Sequence, residues 1–204
     1  MPATIPDVVI GRLPLYLRML NRLERKGVKL TSSHELGRQL GVSSAQIRKD
    51  LTHFGEFGKQ GAGYRVPYLR EQLARILQVD REWKVALVGA GNLGHALVHY
   101  QGFRSCGFHI DVIFDNDPKI IGTEIAGFVV QPDEHVAEVV RERGIQVAIL
   151  AVTAEEAQKV ADLLVGAGVR AILSYAPIIL SVPEHVHVQY IDPVVHLQRM
   201  TYYL

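Results

Sequence analysis

Lys84-Val85-Ala86-Leu87-Val88-Gly89-Ala90-Gly91-Asn92-Leu93-Gly94 decides the fold of this chain. An apolar run feeds a G-x-G-x-x-G turn, and a helix is expected from about Asn92 to Phe103. Strand, glycine turn and helix start in that order are the fingerprint of a dinucleotide site. The next apolar run, His109 to Phe114, predicts a second strand ending at Asp115, which lies 21 residues beyond Gly94. A carboxylate at that distance accepts hydrogen bonds from the adenosine ribose hydroxyls. It repels a 2′-phosphate, which favours NAD(H) over NADP(H). The first cofactor-binding candidates are therefore Gly89, Gly91, Asn92, Leu93, Gly94 and Asp115. Asn116 and Asp117-Pro118 shape the following loop, with Asp117 as a substitute for Asp115. The competing reading is a glycine turn needed only for packing.

Strands and helices alternate onward: Val147 to Val152, a helix over Ala154 to Ala167, Val169 to Leu173, and Val186 to Ile191. This pattern predicts an α/β fold with a doubly wound parallel sheet, the Rossmann arrangement. The turns Ala151-Val152-Thr153 and Ser174-Tyr175-Ala176-Pro177 end their strands on the same edge as the glycine turn. Thr153, Ala176 and Pro177 are candidates to line the nicotinamide end.

What precedes the turn differs in kind. Residues 1–70 carry 12 Lys/Arg against 5 Asp/Glu, a net of +7, and residues 71–204 carry the other 10 against 16, a net of −6. A basic front and an acidic back imply two domains with different partners. The front is helical. A first helix runs from Pro14 to Lys26, stopped by Gly27. Ser32-Ser33-His34-Glu35 and Ser43-Ser44-Ala45-Gln46 are two capping boxes, with the tight turn at Gly41 between the helices they open. In the second of these helices Ile47, Leu51 and Phe54 face inward. Ser44, Ala45, Arg48, Lys49 and Thr52 are then wholly or partly outward. This is a helix-turn-helix whose second helix reads DNA from its N-terminal residues; a plain solvated face is the alternative. The segment from Gly55 to Gly63, with four glycines in nine positions, reads as a hairpin wing with Lys59 and Gln60 at its tip. Tyr64 is either an aromatic packed at the base of the wing or a donor to phosphate. The DNA-binding candidates are Ser44, Ala45, Gln46, Arg48, Lys49, Lys59, Gln60 and Tyr64. A helix through Leu69, Leu73, Ile76 and Leu77 closes the unit, with a boundary near residue 80.

The ending, Asp192 to Leu204, reads as a helix capped by Asp192 with Pro193 at its first position. Its stripe of Val194, Leu197, Met200 or Thr201, and Leu204 is too apolar for a free tail, so it packs on its own domain or against a partner. His95 and His99 sit at i, i+4 without an evident third ligand, so no metal is expected. His185 and His187 read as surface positions. Cys106 is the single cysteine; it reads as a small core residue, a redox switch being possible only with a partner chain. No stretch approaches 18 apolar residues and no secretion signal is evident, which predicts a cytoplasmic protein with no membrane span.

Taken together, these motifs resemble the Rex family of bacterial redox-sensing transcriptional repressors along nearly the whole chain. The stretches that carry the resemblance are Arg12 to Arg18, Gln46 to Leu51, Phe54-Gly55, the wing from Gly58 to Tyr64, Gly89 to Gly94, His99-Tyr100, Phe114-Asp115 with Asp117-Pro118, Ala176-Pro177, and Asp192 to Leu204. The resemblance implies an N-terminal winged helix (1–80), a Rossmann domain for NADH and NAD+ (81–191), and a C-terminal helix (192–204) exchanged within a homodimer. It implies release from operator DNA when NADH binds, with Tyr100 near the nicotinamide and Arg18 and Asp192 as a domain-coupling ion pair. This chain departs from the family's usual residues at Gln60, Ser174 and Pro193. The rival readings are a DNA-binding regulator of another nucleotide such as coenzyme A, and a small NAD-dependent oxidoreductase. The second lacks a substrate domain and an acid-base constellation, so no enzyme is expected.

Overall fold

The computed structural model describes residues 5–59 and 63–204. The chain divides into two compact units, Met1–Arg81 and Glu82–Leu204.

In the first unit the helices are α1 (Asp7–Ile10), α2 (Leu13–Arg25), α3 (Ser33–Leu40), α4 (Ser44–Thr52) and α5 (Val66–Ile76). Three short strands, β1 (Leu30–Thr31), β2 (Gly58–Lys59) and β3 (Gly63–Arg65), pair antiparallel in the order β1-β3-β2. Pro14 falls in the first turn of α2, where a missing N–H is harmless. Ser32 and Ser43 cap α3 and α4, each Oγ accepting the backbone N–H three residues on at 3.1 Å. The reciprocal arms of the two boxes are diverted. The Glu35 carboxylate accepts from Arg38 and Gln39, and the Gln46 amide donates to Asp50. The α3–α4 turn is tight because residue 37 is glycine: a Cβ there would lie 2.3 Å from the Val42 carbonyl oxygen. Leu13, Tyr16, Leu20, Leu36, Ile47, Leu51, Leu69 and Leu73 form the core.

The second unit runs β4 (Trp83–Val88), α6 (Asn92–Val98), α7 (Gln101–Arg104), β5 (Phe108–Asp115), β6 (Glu124–Ile125), β7 (Phe128–Val129), β8 (Gln131–Pro132), α8 (Val136–Arg143), β9 (Val147–Leu150), α9 (Ala154–Ala167), β10 (Ala171–Ser174), β11 (His187–Tyr190) and α10 (Pro193–Thr201). Six strands form one parallel sheet in the order β8-β5-β4-β9-β10-β11. Counted along the chain this is 3-2-1-4-5-6, the dinucleotide-binding order. Its central strands are buried on both faces: Ala86 and Val88 of β4 enter one core, Val85 and Leu87 the other. This is why they read as unbroken apolar runs rather than as alternation.

Two expectations are corrected, and one strand is added. The helix after the glycine turn does not reach Phe103. It ends at Val98, and Tyr100 is extended at φ −74°, ψ 102° before the single turn α7. The third strand, β8, left no sequence signal: it is two residues long, includes Pro132 and sits at the sheet edge, where a proline's missing donor is tolerated. Cys106 is exposed, not a core residue. The last helix also resolves an alternative, because no residue of α10 is buried; Leu197 and Met200 are 59% and 64% exposed. The helix does not pack on its own domain.

Candidate nucleotide cradle and DNA-reading face

The carboxyl ends of β4 and β9 lie side by side where the strand order reverses, the usual place for a ligand in such a sheet. The three glycines of the turn have separable roles. Gly89 has φ +97°, and a Cβ on it would lie 2.4 Å from the Ala151 carbonyl oxygen. A Cβ on Gly94 would lie 1.9 Å from the Gly89 carbonyl oxygen. Both are demanded by the fold. A Cβ on Gly91 would meet nothing within 4 Å, so no protein packing explains glycine there, whereas a diphosphate approaching the backbone does. The packing-only reading accounts for two glycines out of three. Gly91 caps α6 without any side-chain bond, and the first intrahelical bond is His95 N–H to the Gly91 carbonyl at 2.8 Å. The Asn92, Leu93 and Gly94 amides thus precede the ladder at the mouth of the turn.

Asp115 ends β5 and is 8% exposed. Its Oδ2 accepts from Ala90 N–H at 2.6 Å and its Oδ1 from Asp117 N–H at 2.8 Å. Two backbone amides hold the carboxylate in place, and each oxygen keeps acceptor capacity for a hydroxyl donor. Asp117 shapes the loop, its Oδ1 accepting from Lys119 N–H at 2.9 Å. The donor and acceptor set therefore fits a diphosphate joined to an unphosphorylated ribose.

At the far end of the same edge Thr153 and Pro177 are exposed, while the Ala176 methyl is buried in the core. Ser174 is fully buried, and its Oγ accepts from Ala176 N–H at 3.3 Å, bracing the turn. Tyr100 is 60% exposed; its ring lies over Gly102, where a Cβ would come 2.3 Å from ring carbons, and stands edge-on to Phe103. Sequence reading passed over Tyr175. Burial pushes its phenol up, and the neighbouring Tyr100 phenol pushes it the same way. Its one sequence signal was its place between Ser174 and Ala176. His95 and His99 stack with ring centroids 4.7 Å apart, and the described residues hold no group of three metal-ligating side chains.

In the first unit α4 turns Ile47 and Leu51 inward and leaves Ala45, Arg48 and Lys49 exposed, with Ser44 half-buried. Arg48 donates to Ser33 Oγ at 3.0 Å, so its guanidinium reaches back toward the start of α3. Tyr64 packs at the base of the wing, its ring 3.0 Å from where a Cβ on Gly58 would stand, and burial raises its phenol, partly offset by Arg48. Gln60 at the tip lies outside the described residues. Gln46 is drawn into a buried cluster that sequence reading missed. Asp50 is fully buried and accepts from Arg12 Nε at 2.6 Å, Arg12 Nη2 at 2.7 Å, Tyr16 Oη at 2.7 Å and Gln46 Nε2 at 2.7 Å. Burial pushes the Asp50 carboxyl up, but the donors outweigh it and hold the carboxyl below its usual range. The available signal was an acid on the inward face of α4, between Ile47 and Leu51. Arg18 is exposed on α2, and Asp192 caps α10 by accepting from Val194 N–H at 2.8 Å.

Comparison with known proteins agrees with both units. Residues 80–178 match a family described as "CoA binding domain", and residues 4–52 one described as "Putative DNA-binding protein N-terminus". The redox-sensing transcriptional repressor Rex of Roseiflexus sp. (strain RS-1) is 57% identical over 199 residues, covering 98% of this chain and 90% of its own. The chain belongs to the Rex family of redox-sensing transcriptional repressors. The Rex of Chloroflexus aurantiacus (strain ATCC 29366 / DSM 635 / J-10-fl) is 56% identical, covering 98% and 94% of the two chains. Among solved structures, the Rex-family repressor RSP in complex with NAD+ and operator DNA superposes with a TM-score of 0.93 at 38% identity, covering 98% of this chain and 93% of its own. RSP in complex with NADH gives 0.89 at 36% identity, covering 98% and 94%.

Proposed function

We propose that this Rex-family chain binds operator DNA through its first unit, binds NAD(H) through its second, and leaves the DNA when NADH binds. The observation that carries the reading is the 98% coverage of this chain by RSP, solved with NAD+ together with operator DNA and, separately, with NADH. Gly89, Gly91 and the amides of Asn92, Leu93 and Gly94 hold the diphosphate. Asp115 holds the adenosine ribose. Thr153, Pro177, Tyr100 and the backbone at Ala176 face the nicotinamide, with Tyr175 beside Tyr100. Ser44, Ala45, Gln46 and Lys49 meet base edges; Arg48 and the wing residues Lys59, Gln60 and Tyr64 meet or support contacts to the backbone.

The ligand exerts control, not chemistry. NADH shifts the population only by binding the arrangement that is released from DNA more tightly than the one on it. Nicotinamide is cationic and planar when oxidised, neutral and puckered when reduced, and a pocket built from Tyr100, Pro177 and neighbouring apolar backbone discriminates the two. The exposed apolar stripe of α10 is covered by a second copy of the chain, giving a homodimer in which residues 192–204 are exchanged and Asp192 pairs with Arg18. The three segments 1–80, 81–191 and 192–204 are then DNA reader, sensor and coupler. A repressor of chromosomal operators works in the cytoplasm, and no helix among the described residues is long and apolar enough to cross a membrane.

The chain is a repressor and not an enzyme, as its Rex relatives are. The family description naming coenzyme A does not redirect the ligand. A ribose that carries a phosphate would meet the Asp115 carboxylate, and RSP was solved with NAD+ and with NADH. The test is operator binding at one fixed salt concentration during titration with NADH and then NAD+. Release by NADH at concentrations where NAD+ leaves the complex intact is expected. DNA binding indifferent to both would overturn the sensing role.

A further inference from the structure

Gln46 is the third residue of α4, one turn before Asp50 on the same helix. Asp50 faces inward from α4 toward the start of α2, with all four of its acceptor positions engaged: two by Arg12, one by Tyr16 and one by Gln46. An ionised carboxylate only accepts. The Gln46 amide therefore has one possible orientation: its nitrogen faces Asp50 and its carbonyl oxygen faces away. Amide oxygen and nitrogen are otherwise interchangeable in a glutamine; here the buried Arg12–Asp50–Tyr16 cluster settles which is which. The side chain is half-buried beside exposed Ala45 and Lys49, at the end of the helix that meets base edges.

We propose that Gln46 is a specificity-determining residue, held by Asp50 so that it presents a carbonyl acceptor and one remaining N–H to the major groove. This rests on the DNA-reading role given to α4 above. The bases that offer a donor there are adenine, through its N6 amino group, and cytosine, through N4. Only adenine places an acceptor, N7, beside that donor, matching the second N–H of Gln46. The geometry thus selects an A·T pair at one position of each half-site. Asp50 is a positioning residue for this contact: it touches no base and acts by orienting the amide.

The experiment pairs one change on the protein with one change on the DNA. The operator is first selected from a random duplex pool with the purified full chain, free of NADH. Every position is then substituted and affinity measured at one salt concentration. For the unchanged protein, replacing one particular A·T pair is expected to cost about 5- to 150-fold, the range of a good bidentate contact. Gln46→Ala should flatten the preference at that position alone. Deoxynebularine, which lacks the N6 amino group but keeps N7, should weaken the unchanged protein at that position and leave Gln46→Ala unaffected. The DNA-side substitution needs no change to the protein, so it reads the contact even if Gln46→Ala folds poorly. A profile that Gln46→Ala leaves unmoved, or lowers uniformly, would overturn the inference while leaving the DNA-binding reading standing. So would relaxation at a position that prefers guanine. Failure of the unchanged protein to select any sequence would overturn the DNA-reading role and this inference with it.

Discussion

Each unit of this chain places one buried aspartate at its working end, and the two are satisfied in opposite ways. Asp50, on the inward face of α4, takes four side-chain hydrogen bonds from three residues, two of which lie on or beside another helix. Asp115, beside the glycine turn, takes two, both from backbone amides close to it. A carboxylate with every acceptor position filled locks elements together and has nothing left for a ligand. A carboxylate pinned by two amides is oriented but still able to accept. Burial alone does not separate the two, which are 0% and 8% exposed; the source and number of donors do.

That contrast can be broken most forcefully at Asp50. Asp50→Ala strands Arg12 and Tyr16 and is expected to cost about 3–5 kcal/mol, the penalty for removing one partner of a buried pair. Urea denaturation of the unchanged protein and Asp50→Ala at pH 7 measures it, and a loss under about 1 kcal/mol would erase the distinction. Asp115→Asn keeps the shape and part of the amide contact. It should lower NADH affinity by the worth of charge-assisted bonds to a ribose, about 1.5–3 kcal/mol, with operator affinity unchanged; calorimetric titration checks the first and a DNA-binding curve the second. Gly91→Ala sharpens the same contrast for the turn. With nothing near the added methyl, thermal stability should stay within about 0.5 kcal/mol while NADH binding weakens at least tenfold. Gly94→Ala, which drives a methyl into the Gly89 carbonyl, should instead lower stability.

The smallest effect concerns pH. The folded Asp50 carboxyl lies below its unfolded value, near 3.9 for a free aspartate. Its contribution is therefore fully present above about pH 4 and is lost as pH falls through the lower, folded value. The stability gap between the unchanged protein and Asp50→Ala should stay constant from pH 7 to about 5 and narrow below 4. A gap that widens on acidification would show that the cluster does not hold the charged form.

Much of the candidate site was legible in the chain because its signals are local. The Gly89 to Gly94 turn, the acid at position 115 and the serine caps at 32 and 43 each work through residues within a few positions or one strand–helix unit. The misses share a different cause. Pro132 ends a two-residue edge strand that exists only because β5 is beside it. Tyr100 breaks a helix that its neighbours' spacing would continue, its ring settling over Gly102. Tyr175 gains meaning from Tyr100, 75 residues earlier in the chain.

By itself, then, the sequence determined the alternation of the main strands and helices, the two-unit plan, the dinucleotide turn and the face of α4 that points outward. Hydrophobic period, capping and glycine placement are short-range properties that any folded context must respect. Only the tertiary structure decided that Gln46 is turned toward Asp50, that Cys106 is exposed and that the last helix leaves its apolar stripe uncovered. Each of these depends on which distant groups arrive within hydrogen-bonding or van der Waals reach, and a partner 34 to 38 residues away, as Tyr16 and Arg12 are from Asp50, leaves no periodic trace in the chain.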